Sequence, residues 1–252
     1  MPLSRDEARH LAARSLLLQV LLNYRTMQGS GYLFALWPWL RRSESSSVRV
    51  KACADYLNAH PVFGALAIGA MRRRIEEGDV ERDPTEFGKW QESLCGPLGM
   101  VGDSLIWDRW KPLLFSLGVL LLLWFPAIEV WAGVAIGCLL LYNVPLVRLR
   151  VWAVSEGYRL GGNVLEALGH PLVGRLRKGL SIAGACVAGL LLASGVLQSG
   201  STAWSAAAQF AVAFALMLLA VSRRWGILWS LLLALGAALL VPAILLVLPT
   251  RV

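Results

Sequence analysis

The apolar positions of this chain follow two different patterns, and the change comes near residue 112. Beyond it they run almost without interruption through 180–197, 204–221 and 225–248. Each stretch approaches the ~20 apolar residues that a helix needs to cross a bilayer, so each predicts a transmembrane span. The run 113–147 is too long for one span. Pro126 and Glu129 near its middle predict two short helices joined by a tight turn, giving five spans in all.

Before residue 112 the pattern is shorter and more broken. Residues 11–28 (LAARSLLLQVLLNYRTMQ) place Ser15, Gln19, Asn23 and Thr26 at spacings of 4, 4 and 3, which share one face of a helix. A narrow uncharged polar stripe on an otherwise apolar helix predicts burial against protein. An interfacial helix would carry more lysine and arginine. GSGYLFALWPWLRR (29–42) is a short apolar piece expected to break at Pro38, and SESSS (43–47) reads as a loop. Residues 50–74 read as an amphipathic helix that stops near Asn58-Ala59-His60-Pro61, then an apolar helix closed by three arginines. Neither apolar piece is long enough to span, so both predict re-entrant helices. Residues 75–93 are polar, with Pro84 marking a loop. The expected fold class is an all-α integral membrane protein. Residues 1–111 form an amphipathic and re-entrant helical region with a cytoplasmic loop, and 112–252 the transmembrane region.

Composition agrees with that class. The chain is 57% hydrophobic and only 16% charged, with a mean hydropathy of +0.59, where soluble domains average about 25% charged residues. The net charge of +8 follows the positive-inside tendency, and no nucleic-acid module is present to give it another meaning. Residues 148–179 carry Arg148, Arg150, Arg159, Arg175, Arg177 and Lys178 against Glu156 and Glu166, whereas QSGSTA (198–203) is uncharged. The former and the Arg223-Arg224 turn are therefore expected on the cytoplasmic side and the latter outside, with the C-terminus also outside. Cys53, Cys95, Cys138 and Cys186 are widely separated and read as free thiols, with neither a disulfide framework nor a zinc site. The charged start MPLSRDEARH argues against a cleavable signal peptide.

The stretch GPLGMVGDSLIWDRWKP (96–112) carries the most unusual chemistry. It lacks the spacing of a phosphate-binding loop. Asp103 and Asp108 lie roughly 140° apart on a helix, which does not suit a proton-sharing dyad. Gly96, Pro97, Gly99 and Gly102 are expected to form an irregular turn at membrane depth. Asp103 either caps a helix beginning at Ser104 or meets a ligand. His10, His60 and His170 have no ligand-spaced neighbours, and the latter two precede proline as helix-ending residues do. No catalytic nucleophile and no cofactor or metal site is read from the sequence.

Four ordered segments carry a resemblance. NYRTMQGSGYLFALWPWL (23–40) resembles the N-Y-E-R-M-Q-x-x-G-Y-x-x-x-L-x-P-x-L opening of the IID component of mannose-family phosphotransferase system (PTS) permeases. YLNAHPVFGALAIGA (56–70) is similar to its F-N-T-H-P segment. The 96–112 stretch resembles G-P-L-A-G-I-G-D-S-x-F-W-x-x-x-R-P. YNVPLVRLRVWAVSEGYRLG (142–161) resembles N-x-x-x-x-x-x-R-x-x-x-x-x-x-G-Y-x-x-G with looser spacing. The chain departs from the pattern at Arg25-Thr26, where the family has Glu-Arg, and at Asp108-Arg109.

The resemblance implies a membrane subunit of the bacterial inner membrane that pairs with a IIC subunit. The pair moves a hexose such as mannose, glucosamine, fructose or sorbose, which cytoplasmic IIB, itself served by IIA, phosphorylates on arrival. A higher oligomer of IIC–IID pairs is expected. It also implies substrate contacts at Gln19, Asn23, Gln28, His60, Asp103, Asn143 and Arg148, and no phosphorylated residue in this chain. A different class of function, a IID-like protein that regulates without transporting, is the alternative.

Overall fold

A computed structural model describes residues 3–41 and 46–198, so the spans expected at 204–221 and 225–248 lie outside the described residues. The chain divides into two units, Met1–Ala185 and Cys186–Val252, and the first holds most of what is described. Every regular element among the described residues is helical.

Helix α1 (Arg5–Ser15) starts six residues before the helical pattern expected over 11–28. The Ser4 side chain accepts from the Glu7 backbone N–H at 3.2 Å, and the Glu7 carboxylate accepts from the Ser4 N–H and hydroxyl at 3.2 and 2.8 Å. This reciprocal capping box satisfies N–H groups left over at a helix start. The helix stops at Ser15, well short of the residue 28 that apolar periodicity predicts. The cause lies in Asn23, whose Oδ1 accepts from the backbone N–H groups of Arg25 (3.0 Å) and Thr26 (2.8 Å). A short polar side chain that bonds its own backbone offers an alternative to the helix. Met27 then adopts φ 52°, and main-chain bonds join Gln28 N to Leu57 O (2.9 Å) and Leu57 N to Thr26 O (3.3 Å).

Helix α2 (Gly29–Leu40) continues through Pro38, where a break was expected. Proline leaves the carbonyl four residues earlier without its helical donor. Here that carbonyl belongs to Phe34, and it accepts from Arg14 Nε at 3.0 Å, with the guanidinium 3.9 Å over the Phe34 ring. Helix α3 (Ser46–Cys53) precedes the Asn58–Pro61 break, and α4 (Gly64–Glu76) follows it. Residues Gly64 to Arg72 of α4 are all buried, which makes α4 the centre of the unit. Its arginines close it by pairing with acids: Arg73 with Glu77 and Arg74 with Asp79, each at 2.7 Å. Short helices α5 (Asp79–Arg82) and α6 (Pro84–Ser93) follow, the latter capped by Asp83.

From Cys95 to Trp124 the backbone is helical throughout: α7 (Cys95–Gly102), a π-helical stretch (Asp103–Trp110) and α8 (Lys111–Trp124). The irregular turn expected at Gly96, Pro97, Gly99 and Gly102 is therefore a helix. Pro97 sits in its first turn, where a missing N–H costs nothing. The chain reverses at Phe125–Ala127 into α9 (Ile128–Leu160), which matches the hairpin expected around Pro126, although α9 is far longer than a short helix. Its second half crosses α4 backbone to backbone. A Cβ on Gly69 would collide with the Val154 carbonyl, and one on Gly157 with that of Leu66. A 3₁₀ segment (Gly161–Gly169) leads to α10 (Pro171–Gln198), which contains the span expected at 180–197. Among the described residues, one helical run, 128–191, is apolar enough over a sufficient length to cross a membrane.

Candidate functional site

The unit's core is mostly apolar, and besides Gln91, Arg72 and Arg74 its buried polar side chains gather at one place. Where α1, α2, the Leu57–Pro61 segment and α9 converge, the buried side chains are Ser15, Gln28, Tyr32, His60 and Arg150. Gln28 donates from Nε2 to the Ala59 carbonyl (2.8 Å) and accepts at Oε1 from the Ala59 N–H (3.2 Å). Arg150 reaches in from α9 and donates from Nη1 to Pro61 O (2.7 Å), Ser15 O (3.0 Å) and Ser15 Oγ (3.2 Å). All three acceptors are neutral oxygens. No acidic side chain pairs with Arg150 among the described residues. The α1 terminus offers part of the compensation, because helix C-terminal carbonyls carry partial negative charge.

His60 is turned by its own segment. Its Nδ1 accepts from the Val62 N–H at 3.2 Å, which puts the ring proton on Nε2. The ring lies edge-on to Trp107, centroids 5.0 Å apart, and against Gly102, where a Cβ would collide with it. Burial, and then the nearby Arg150 charge, lower the His60 pKa to about 4, so the imidazole is neutral. Its Nε2 has no partner among the described residues, and neither has the Tyr32 hydroxyl, whose pKa burial raises. Two unpaired polar atoms and one cation without an acidic partner thus share a single buried locus. Buried polar groups without partners each cost about 1–3 kcal/mol.

The wall beside this locus is the π-helical stretch. Such stretches are rare and concentrate at functional sites. This one begins at Asp103 and carries Trp107, the residue that meets His60. Asp103 does not cap a helix, since its own backbone is helical (φ −60°, ψ −48°). It is half-buried, and burial, followed by the Asp108 charge, raises its pKa. Arg109 is turned back onto Ser104, meeting its hydroxyl at 2.6 Å, and donates to Ser181 Oγ at 2.9 Å.

Comparison with known proteins decides what this arrangement belongs to. The PTS system mannose/fructose/sorbose family IID component matches residues 2–245. This chain is a member of that family. The mannose-specific EIID component of Escherichia coli K12 is 26% identical over 200 residues, covering 75% of this chain and 68% of that protein. The sorbose-specific EIID component of Klebsiella pneumoniae is 27% identical over 188 residues, covering 71% and 66%. A solved membrane protein aligns with a TM-score of 0.63 at 25% identity, over 75% of this chain and 70% of the other. A cryo-EM structure of the mannose transporter ManYZ with microcin E492 aligns with a TM-score of 0.55 at 24% identity, over the same shares, and attests the fold.

The IID chain is thus a membrane protein whose described elements are all helical, a subunit of a mannose/sorbose-family permease. Its residues expected at the site do not all meet. Gln28 and His60 are buried at the polar locus. Asn23 stands at the neighbouring turn, where it also donates to Thr26 Oγ1 (2.8 Å) and Ser30 Oγ (3.1 Å). Gln19 is exposed on the loop after α1, and Arg148 is exposed on α9. Asn143 is exposed too, bonds the Leu139 carbonyl (2.8 Å), and lines a 650 Å³ groove between α8 and α9. Tyr32 and Arg150 were missed. A signal for Arg150 existed: six residues separate Asn143 from Arg150, and six more separate Arg150 from Gly157-Tyr158. The N-x6-R-x6-G-Y spacing is met at Arg150 without any looseness, and Arg148 drew attention only by standing first.

Proposed function

We propose that this IID chain and a IIC partner form the membrane path by which a mannose-type hexose enters a bacterial cell. On arrival the sugar takes a phosphoryl group from a phosphohistidine of cytoplasmic IIB, which IIA recharges. The chain crosses the inner membrane several times, with residues 148–179 on the cytoplasmic side. The family match across residues 2–245 carries this reading. The polar locus supports it, because a IID subunit needs hydrogen-bonding groups beside an otherwise apolar path. Gln28, His60, Asn23 and Asp103, joined by Tyr32 and Arg150, are the groups we place nearest that path, with Gln19, Asn143 and Arg148 farther out. A higher oligomer of IIC–IID pairs completes the proposal.

The test is uptake of radiolabelled mannose, glucosamine, fructose and sorbose in cells stripped of their own mannose-type permease. Co-expression of this chain with its IIC, IIB and IIA should give uptake of at least one hexose, and omission of this chain should abolish it. Absence of uptake with every hexose, while the IIC–IID pair is intact in the membrane, would overturn the reading.

A further inference from the structure

Between the end of α1 and the Asn23 turn the chain exposes Leu16, Leu17, Val20, Leu21, Leu22 and Tyr24, with Tyr24 100% and Val20 70% exposed. The backbone there is not helical; short bonds such as Leu17 N to Arg14 O (3.1 Å) and Val20 N to Leu17 O (3.1 Å) fold it into turns. Together these facts exclude two surroundings. Water does not suit so dense a patch of bulky apolar side chains. Hydrocarbon does not suit an irregular backbone, which is tolerated at membrane depth only where protein or a water-filled cavity covers it. A protein surface answers both demands.

Charge narrows the partner. Arg25 follows the patch, is exposed, and has no ion pair among the described residues. We infer that residues 16–25 dock onto the IIC partner, against an apolar surface that presents a carboxylate to Arg25. The inference rests on the reading that the chain pairs with IIC.

The experiment uses the full chain co-expressed with its IIC subunit. A photoreactive p-benzoylphenylalanine at Val20 or Tyr24 should yield an adduct of the two subunits on illumination, and one at exposed Lys89 should not. Val20→Asp should lower co-purification with IIC at least tenfold while leaving the chain's helicity and melting unchanged. Arg25→Glu should do the same and Arg25→Lys should not, since arginine acts here as a cation. Adducts with lipid alone, adducts within residues 199–252 of the same chain, or normal co-purification of Val20→Asp would each overturn the docking site. Failure of the unaltered chain to co-purify with IIC would instead overturn the pairing itself, and this inference with it.

Discussion

The first half of helix α4, from Gly64 to Met71, and the α8–α9 hairpin are both apolar, yet the one is buried and the other exposed. In α4, Leu66, Ile68 and Met71 have no exposed surface. In the hairpin, Phe115 is 66% exposed and Leu139 62%. Apolarity therefore says that a segment avoids water and says nothing of whether protein or lipid replaces it. The difference is written in the small residues. Glycines in α4 and its partner admit another backbone, whereas a Cβ on Gly133 or Gly137 in the hairpin meets nothing within 4 Å.

The sharpest way to break that contrast is to fill both kinds of glycine. Gly157→Leu forces a side chain into the Leu66 carbonyl and should cost more than ~3 kcal/mol, since overpacking alone costs 1–3 and backbone cannot yield as a side chain does. Gly133→Leu should leave the melting temperature of the detergent-solubilised complex within a degree or two. Equal effects would erase the distinction between core and lipid face.

Next in size is Arg150→Leu, which strands the Ser15 and Pro61 carbonyls. About 3 kcal/mol should be lost in thermal unfolding, and Arg150→Lys should recover part of it by restoring one charged donor. Exposed Arg148→Leu, two residues away, should change stability by less than ~0.5 kcal/mol.

A third test uses pH. The folded His60 pKa of about 4 lies below the ordinary 6.5, so folding favours the neutral ring. Stability is then full above pH 6.5 and falls as pH drops toward 4. Between pH 6.5 and 5 the loss should be about 2 kcal/mol, read as the difference between the parent and His60→Gln. A pH slope unaltered by the substitution would mean that the imidazole is not held neutral.

The smallest stability effect is expected at Asp103. Its raised pKa means that folding favours the protonated carboxyl, so its contribution is best at low pH and declines as pH rises. Asp103→Asn should leave stability within ~0.5 kcal/mol and IIC binding intact. Hexose uptake should nonetheless fall about tenfold or more, because a carboxylate accepts from a hydroxyl more strongly than an amide does. Unchanged uptake would remove Asp103 from the path.

How much of this was legible follows from where the determinants lie. The Asn58–Pro61 break and the hairpin reversal at Pro126 are local, and local signals survive reading one residue at a time. The end of α1 at Ser15 was not legible, because apolar periodicity ran on and only the Asn23 turn, with its pairing to Leu57, overrides it. Pro38 misled for a similar reason: the donor that replaces its missing N–H is Arg14, which belongs to another helix. Gln28 and His60 were found by resemblance and do share a buried locus. The glycine run of α7 was misread as an irregular turn, whereas the backbone is helical and Gly102 lies close against His60.

The crossing of Gly69 and Gly157 has a mechanical side. Backbones in direct contact leave no soft side chains between them, so the second half of α9 and α4 behave as one stiff body. From Gly157 to the hairpin tip at Ile128, α9 extends roughly 43 Å at 1.5 Å per residue. Anchored at one end and carrying exposed apolar side chains over much of its length, it is a long lever on a fixed fulcrum. A tilt of about 5° about the crossing would carry its tip roughly 4 Å, by the same geometry. Pro145 lies along that arm, at a position where a helix bends at least cost.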